Sequence, residues 1–297
     1  MLNKISLRRS LLGIPGNERQ LVGGAIDSDA DEIFLDLEDS LAPGEKVAAR
    51  SRMIDIVADH DWDERGLSYR INGTDTRWWY DDVIDVVASV GSSIDTLIVP
   101  KVRDASEVQA VERLLASVET NAGLDAGSIG LSAQIETAEG MNAVTDIAHA
   151  TDRLTALIFG PADYAASIGA AHGATDYPGH YWHYPLSRLS HAAASAGLLA
   201  ISGPYTGDDP EGLERACGYE RALGYDGKVV IHSEQVATAN GVFAPDEAEA
   251  RRAKEIIEKY ETADDGVPPA IDGNVIDREM YQMATRILTK AEAADLV

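Results

Sequence analysis

Two acidic residues, Glu136 and Asp163, each follow a short apolar stretch of the chain. The first stretch reads Ser-Ala-Gln-Ile from residue 132, and the second reads Leu-Ile-Phe-Gly-Pro-Ala from residue 157. The chain between Glu136 and Asp163 is long enough for the end of one strand, a helix and a second strand. Neighbouring parallel strands lie about 5 Å apart, so both carboxylates can emerge at one rim and share a divalent cation. This pattern favours a metal-dependent enzyme, although helix capping explains the two acids equally well.

The expected ion at this site is Mg²⁺, with Mn²⁺ as the alternative. Two carboxylates, waters and substrate oxygens would form the oxygen-only octahedron that Mg²⁺ prefers. The sequence offers no Cys or His cluster that would make a zinc site. Lys101 could instead form a Schiff base, which is the covalent route to aldol chemistry. The Glu/Asp pair makes the metal route preferable.

Other polar residues follow neighbouring apolar runs. Arg70 could bind a substrate carboxylate through two parallel hydrogen bonds, or it could pair with nearby acids. Three acids surround the end of an earlier run: Asp36, Glu38 and Asp39. We expect some of these acids to position Arg70 or metal-bound water, and at least one to cap a helix. The scarce cations near the same rim could meet either an anionic substrate or the acids; they are Lys46, Arg50 and Lys101.

Eight short runs with β-strand character alternate with amphipathic helical stretches. The strand-like runs are residues 9–14, 32–37, 67–71, 96–99, 130–135, 154–159, 198–201 and 228–231. Helical patterns include residues 46–59, 78–90, 106–120 and 209–223. Such alternation predicts a parallel sheet, and eight repeats predict a closed (β/α)8 barrel, with a doubly wound open sheet as the alternative. Barrel enzymes work at the C-terminal ends of their strands, where the polar residues above are expected.

The chain is expected to have two parts. Residues 1–261 form the barrel domain in this interpretation, with residues 246–261 as its last helix. The segment 262–270 is rich in Pro, Gly and Asp and indicates a linker. A final helix is predicted from residue 278 to 294. Because closing a barrel does not require it, the part from 262 to 297 is expected to act as a lid over its own site or on a neighbouring subunit.

Bulk composition excludes some classes of function. Fifty acidic against 25 basic residues give a net charge of −25, which argues against nucleic-acid binding because phosphate contacts need basic patches. Acid enrichment with only seven lysines indicates a salt-rich cytoplasm; an ordinary acidic enzyme is the alternative. The single Cys217 permits no internal disulfide and suits a reducing compartment. No apolar stretch approaches the roughly 20 residues of a membrane span. The N-terminal residues lack the apolar region of a signal peptide, so we expect a cytoplasmic protein.

These motifs, in this order and spacing, resemble the HpcH/HpaI aldolase and citrate lyase β-subunit-like superfamily. The resemblance covers nearly the whole chain and is closest to malyl-CoA and β-methylmalyl-CoA lyases. The stretches that carry it include Ile14-Pro-Gly16, Leu35-Asp-Leu-Glu-Asp-Ser40, Arg70-Ile-Asn-Gly-Thr-Asp-Thr76, Pro100-Lys101, Ile135-Glu136, Gly160-Pro-Ala-Asp-Tyr-Ala-Ala-Ser167, Gly203-Pro204, Ile231-His232 and Val275-Ile-Asp277.

The resemblance implies a (β/α)8 barrel with a C-terminal lid in homotrimers or homohexamers. It implies that Glu136 and Asp163 bind the metal and that Arg70 holds a substrate carboxylate. Asp277 matches the family's acid/base residue, which is contributed to the site of an adjacent subunit; spacing alone suggests that Asp277 caps the last helix. The implied reaction is reversible cleavage of a malyl-CoA-type thioester into glyoxylate and an acyl-CoA.

The resemblance also implies a set of substrate and coenzyme A contacts: Pro15, Gly16, Arg19, Lys101, Ala162, Ser202 and Gly203. The chain departs from the family here. Ser202 stands where the family usually has Asp, Ser233 stands where it has Pro, and Glu18 and Gly24 replace basic residues of the first loop. These changes affect the coenzyme A contacts and acyl-chain specificity. The alternatives are a citrate lyase β subunit, a citramalyl-CoA lyase, a coenzyme-independent metal aldolase and a non-catalytic barrel subunit.

Overall fold

The computed structural model describes residues 7–62, 66–170, 178–263, 269–294 and 296. The chain divides into two compact units, Met1–Phe243 and Ala244–Val297. The helix Glu247–Glu261, which the sequence pattern assigned to the barrel, therefore belongs to the second unit. Part of the linker expected at 262–270, residues 264–268, lies outside the described residues.

The first unit is a closed barrel of eight parallel strands, in which each strand pairs with the next and β1 pairs with β8. This confirms the predicted (β/α)8 barrel. The strands are β1 (Ser10–Pro15), β2 (Glu32–Asp36), β3 (Gly66–Arg70), β4 (Thr96–Val99), β5 (Gly130–Ile135), β6 (Leu154–Phe159), β7 (Leu199–Ser202) and β8 (Gly227–Val230). The helices are α1 (Arg19–Ile26), α2 (Lys46–Ala58), α3 (Trp79–Val90), α4 (Ala105–Asn121), α5 (Ala138–Ala148), α6 (Pro161–Ile168), α7 (His183–Ala196), α8 (Pro210–Ala222) and α9 (Val236–Phe243).

Two apolar clusters follow from the alternation of side chains along the strands. The larger one lies between the sheet and the surrounding helices. The smaller cluster contains only strand residues, which places it inside the barrel; its members are Leu11, Phe34, Ile98, Ala156, Ile158, Ile201 and Val229. The barrel interior is therefore a packed core, and chemistry is confined to its ends.

A polar layer closes the N-terminal end of the barrel. The guanidinium of Arg8 donates to Glu32 at 2.8 Å and to the hydroxyl of Ser132 at 3.1 Å. Ser68 donates to the same Glu32 carboxylate at 2.6 Å. The groups that form these bonds are almost fully buried, so this end is sealed by structural contacts. The C-terminal end is left to carry functional groups.

The second unit contains α10 (Glu247–Glu261), a short hairpin of β9 (Ala270–Ile271) and β10 (Asn274–Val275), and α11 (Arg278–Ala293). The hairpin turns through Asp272 and Gly273, both with positive φ, as a tight two-residue turn requires. Tyr260 of α10 stacks on Tyr281 of α11 with ring centroids 4.5 Å apart. None of the helices in the described segments has both the length and the apolar character that crossing a membrane requires.

Candidate active site

Polar side chains gather at the C-terminal ends of five consecutive strands, as predicted. The residues come from the ends of β2 to β5 and from the first turn of α6, which follows β6. Hydrogen bonds, ion pairs and electrostatic interactions connect them into one group. We call this group the acid cluster; its carboxylates are Asp36, Glu38, Asp39, Glu136 and Asp163, and its cations are Arg70 and Lys101.

Arg70, the last residue of β3, is held by Asp36. Its Nε and Nη2 atoms each donate to one oxygen of the Asp36 carboxylate at 2.7 Å. Burial raises the pKa of Asp36, but the charge and hydrogen bonds of Arg70 outweigh it and lower this pKa to about 2. Nη1 donates to Gln134 at 3.3 Å, and Nη2 lies 3.5 Å from Glu38. Arg70 is thus fixed as an ion pair, with Nη1 directed toward the middle of the cluster.

Lys101 follows β4 and has a φ of +53°, an uncommon conformation for a residue with a β-carbon. This backbone geometry directs its N–H to Oε1 of Glu136 at 2.8 Å. The Lys101 ammonium donates to Glu38, and to the two oxygens of Asp39 at 3.0 and 2.9 Å. It also lies 3.8 Å from Oδ2 of Asp163. One residue therefore contacts four of the five carboxylates.

Glu136 is the most deeply buried acid of the cluster, with 1 % of its surface exposed. Its Oε2 accepts a hydrogen bond of 2.5 Å from the Gln134 amide. Burial, with repulsion from Glu38 and Asp163, raises the pKa of Glu136 to about 8 against the opposing effects of Arg70 and Lys101. Since each Glu136 oxygen has one protein donor and an acceptor site to spare, the carboxylate can still bind a cation.

Asp163 lies in the first turn of α6, where 38 % of its side chain is exposed. Burial and the neighbouring Asp39 carboxylate raise its pKa against the opposing effect of Lys101. Neither candidate metal ligand, Glu136 or Asp163, serves as a helix cap residue. Thr137 caps α5 through its side chain, and Gly160 occupies the N-cap position of α6. The capping alternative for Glu136 and Asp163 is therefore not what the structure shows.

The acid cluster fits a divalent cation. Five carboxylates face two cationic side chains, so acidic groups outnumber cations in the cluster. Burial raises the pKa values of Glu38, Glu136 and Asp163. Despite burial, Arg70 lowers the pKa of Asp36 and Lys101 lowers that of Asp39. Among the described residues no group of three or more His, Cys, Asp or Glu side chains is arranged to hold a metal. Mg²⁺ commonly binds through one or two carboxylates and keeps several waters. Glu136 and Asp163 suit that mode.

Three contributors to the cluster were missed or left open by sequence reasoning. Gln134 bridges Arg70 and Glu136, and nothing in its position along β5 indicated this. Gly160 leaves space for Glu136, because a β-carbon there would lie 2.1 Å from its Oε2. Lys46 donates to the backbone carbonyls of Leu37 and Glu38 at 3.0 and 2.6 Å, so it holds the loop and not a carboxylate.

Arg50 does not join the acid cluster through the contacts it makes. Its guanidinium pairs with Asp82 at 2.8 Å and Asp85 at 2.9 Å, and Asp82 also accepts two hydrogen bonds from Asn72. Arg50 therefore joins α2 to α3. Of the three cations Lys46, Arg50 and Lys101 that the sequence placed near this rim, Lys101 is the one whose side chain contacts carboxylates of the acid cluster.

The residues proposed as substrate and coenzyme A contacts lie at or after the ends of four strands, β1, β4, β6 and β7. Pro15 ends β1, and Gly16 donates its N–H to the Asp36 carbonyl at 2.8 Å. Arg19 is exposed and pairs with Asp59 at 2.8 Å. Ala162 is exposed in the first turn of α6. Pro15, Gly16 and Ala162 lie at the C-terminal end of the barrel, whereas Arg19 is paired with the residue that follows the end of α2. The ligand contacts of all four stay a prediction.

Ser202 and Gly203 differ in what they offer a ligand. The Ser202 side chain is fully buried and donates to Glu220 of α8, so its hydroxyl is engaged behind the sheet. Gly203 lies against the start of α6, because a β-carbon there would be 2.2 Å from Pro161. The Gly203 backbone therefore packs closely against Pro161, two residues before Asp163.

Asp277 belongs to the second unit and caps α11. Its Oδ1 accepts the N–H of Met280 at 2.8 Å. This is the N-cap role that its spacing predicted. Its role as the acid/base residue stays a prediction that rests on the family resemblance.

Three comparisons place the chain among known proteins. It is 36% identical to the L-malyl-CoA/β-methylmalyl-CoA lyase of Rhodobacter capsulatus, over 97% of this chain and 96% of that protein. It is 32% identical to citrate lyase subunit β of Leuconostoc mesenteroides subsp. cremoris, over 100% and 97% of the two chains. The crystal structure of CitE from Mycobacterium tuberculosis with magnesium and acetoacetate is 26% identical and covers 80% of this chain and 90% of that one, with a TM-score of 0.65.

The sequence model of one family, HpcH/HpaI aldolase/citrate lyase, matches residues 9–233. This range contains all eight barrel strands and every member of the acid cluster. Aldolases and citrate lyases make or break carbon–carbon bonds, and this chain is a carbon–carbon lyase of that kind. It belongs to the HpcH/HpaI aldolase/citrate lyase family.

Proposed function

We propose that the chain is a Mg²⁺-dependent lyase that reversibly cleaves L-malyl-CoA or β-methylmalyl-CoA. The products would be glyoxylate with acetyl-CoA or propionyl-CoA. The observation that carries the proposal is the buried Glu136 carboxyl group, which interacts electrostatically with Asp163 and Arg70 at the C-terminal end of the barrel. The similarity to the R. capsulatus lyase supports this choice of substrate class.

Glu136 and Asp163 would hold the cation, and Gln134 and the Lys101 N–H would keep Glu136 oriented. When bound, Mg²⁺ would supply Lewis-acid polarisation of the glyoxylate carbonyl. Arg70 uses Nε and Nη2 on Asp36, and its Nη1 donates to Gln134 at 3.3 Å. The Nη1 side, which makes no ion pair of its own in these contacts, would receive the glyoxylate carboxylate. The Asp36 ion pair fixes the guanidinium before substrate arrives, and such preorganisation lowers the cost of binding.

Asp277 would act as the acid/base residue. In the synthetic direction it would remove a proton from the acyl-CoA carbon next to the thioester, and in the cleavage direction it would return that proton. General-base catalysis of this kind typically contributes about 10²–10⁴-fold. We further propose, from the family resemblance, that Asp277 serves the site of a neighbouring subunit in a cytoplasmic homotrimer or homohexamer.

A product assay tests the proposal directly. Purified protein is incubated with glyoxylate and either acetyl-CoA or propionyl-CoA, with Mg²⁺ or with a chelator, and products are identified by mass spectrometry. We expect a malyl-CoA or methylmalyl-CoA product that requires Mg²⁺ and is absent with Glu136→Gln. Detection of free malate would indicate that hydrolysis of the thioester follows the carbon–carbon bond formation. Turnover that persists in the chelated Glu136→Gln variant would overturn the proposed site.

A second candidate is a citrate lyase β-type activity, favoured by the full-length match to the L. mesenteroides subunit. Such a chain would act on an acyl group carried by another subunit, so free acyl-CoA with glyoxylate would give no product. Pyruvate or oxaloacetate with an aldehyde would test a coenzyme-independent aldolase in the same assay. If product forms only from pyruvate or oxaloacetate with an aldehyde, the chain is a coenzyme-independent aldolase and not a malyl-CoA lyase.

A further inference from the structure

The ammonium of Lys101 lies among the carboxylates that would hold the metal. It contacts Glu38 and Asp39 directly and lies 3.8 Å from Oδ2 of Asp163. The other cation of the cluster, Arg70, is bound to Asp36 through two hydrogen bonds. Lys101 is thus the cation that pairs directly with Asp39 and lies near Asp163 in this structure.

The two cations of the cluster differ in how firmly they are held. Arg70 is 13% exposed and forms a planar two-bond pair, whereas the Lys101 side chain is 32% exposed and ends in a single ammonium on a flexible four-carbon stem. A cation bound to Asp163 would repel a positive charge this close to it. The Lys101 ammonium is the group that can move in response.

The Lys101 main chain and the Lys101 side chain contact different members of the acid cluster. Its positive φ directs the backbone N–H to Oε1 of Glu136 at 2.8 Å. That bond contacts one proposed metal ligand, and the ammonium lies near the other. Loss of the ammonium's contacts would therefore leave Glu136 oriented.

We propose that Lys101 is a positioning residue with an exchangeable charge. Its ammonium serves as the counter-cation of Asp39 and Asp163 in the metal-free protein, and a divalent cation displaces it from Asp163. Its backbone N–H keeps Glu136 in place throughout. This inference rests on the metal site of the proposed function and adds to it a specific exchange of one cation for another.

Amine labelling of the unmodified protein tests the exchange without substrate. An amine-reactive ester is added to the metal-free protein and to the protein with saturating Mg²⁺, and labelling at each lysine is quantified by mass spectrometry. We expect Mg²⁺ to raise labelling of Lys101 several-fold, because the displaced ammonium leaves Asp163 and becomes more exposed to solvent. Lys254, Lys259 and Lys290 of the second unit serve as internal controls and should not change. Asp163→Asn should remove the effect.

Calorimetric titration with Mg²⁺ supplies the second measurement. Lys101→Met should bind Mg²⁺ several-fold more tightly than the wild type, because no tethered cation competes. Lys101→Arg keeps the competing charge and should bind no more tightly than the wild type. Arg103→Met removes a surface charge that pairs with Glu107 and controls for the change in net charge; its affinity should not change.

The outcomes separate this inference from the proposed function. Mg²⁺ binding without increased Lys101 labelling, or weaker binding by Lys101→Met, would overturn the exchange and leave the metal site standing. Absence of Mg²⁺ binding to the wild type would overturn the metal site, and the exchange with it.

Discussion

At the scale of single residues, Gly160 shows how one missing side chain makes room for another. A β-carbon on Gly160 would lie 2.1 Å from Oε2 and 2.5 Å from Cβ of Glu136. Neither contact is possible, so Gly160→Ala must displace the Glu136 carboxylate or the strand end that carries it. We expect Mg²⁺ affinity to fall by about 10-fold or more, as when a supporting group of a metal site is lost. Calorimetric titration would measure the change.

The matched control for Gly160→Ala is Gly23→Ala. Gly23 lies in α1, and an added β-carbon there meets nothing within 4 Å. The substitution should leave Mg²⁺ affinity unchanged and stabilise the helix by roughly 0.5–1 kcal/mol. Normal Mg²⁺ binding by Gly160→Ala would mean that Glu136 does not bind the metal in the orientation seen here.

The raised pKa of Glu136 predicts how metal binding depends on pH. Its folded-state pKa of about 8 lies above the ordinary value of 4.5. The metal-free fold therefore loses stability as pH rises from 4.5 to 8, because the unfolded chain ionises in that interval while the folded group stays protonated. Mg²⁺ needs the ionised carboxylate and must release a proton below pH 8. We expect Mg²⁺ affinity to weaken by up to about tenfold per pH unit below 8.

Thermal unfolding with and without Mg²⁺ at pH 6 and pH 8 would measure this dependence. The stabilisation by Mg²⁺ should be larger at pH 8, and Glu136→Gln should show little stabilisation at either pH. Equal stabilisation of the wild type at the two pH values would indicate that Glu136 is already ionised at pH 6.

At the scale of helices and strands, the apolar runs predicted every barrel strand to within one residue at each end. They succeed because strands buried on both faces are apolar throughout and are separated by helices. The β9–β10 hairpin was not predicted, since two-residue strands are too short to show alternation. Its Asp272-Gly273 turn was the available signal.

The candidate site was predicted in part, for physical reasons. Strand ends of a barrel meet at one rim, so the acids and Arg70 could be placed from the order of elements alone. The positive φ of Lys101, the bridge through Gln134 and the space beside Gly160 depend on three-dimensional neighbours. No local pattern encodes them.

Helix α8 is attached to the barrel by an ion pair from which water is excluded. Lys228 of β8 and Glu220 of α8 are both fully buried and lie 2.7 Å apart. Lys228→Met would leave the Glu220 charge uncompensated, which typically costs about 3–5 kcal/mol. We expect a loss of that size in the free energy of unfolding, measured with urea.

Two further variants separate burial from charge. Adding Glu220→Gln to Lys228→Met removes the orphaned charge and should recover part of the loss. Arg251→Met breaks a pair with Glu247 whose side chains are 69% and 74% exposed, so it should cost less than about 1 kcal/mol. Equal losses for Lys228→Met and Arg251→Met would show that burial does not decide the strength of these pairs.

At the scale of the whole molecule, a net charge of −25 predicts a dependence on salt. Repulsion among exposed acids disfavours the compact state, and salt screens it. We expect the melting temperature to rise with KCl. A rise that continues to roughly 1 M, where the Debye length is about 3 Å, would support adaptation to a salt-rich cytoplasm. A plateau near 0.15 M would indicate an ordinary acidic enzyme, and a fall would contradict the charge argument.

Subunit mixing tests whether a complete site needs two copies of the chain. Glu136→Gln and Asp277→Asn should each be inactive alone. If Asp277 serves a neighbour, randomly mixed oligomers would combine an intact acid cluster with an intact Asp277 in roughly a quarter of their sites, and activity should reappear to about that extent. Mixing Glu136→Gln with Asp163→Asn is the control, since both lesions lie in one cluster and no arrangement repairs it. Native mass spectrometry would verify that mixed oligomers have formed. If those mixed oligomers stay inactive, Asp277 does not serve the active site of a neighbouring subunit.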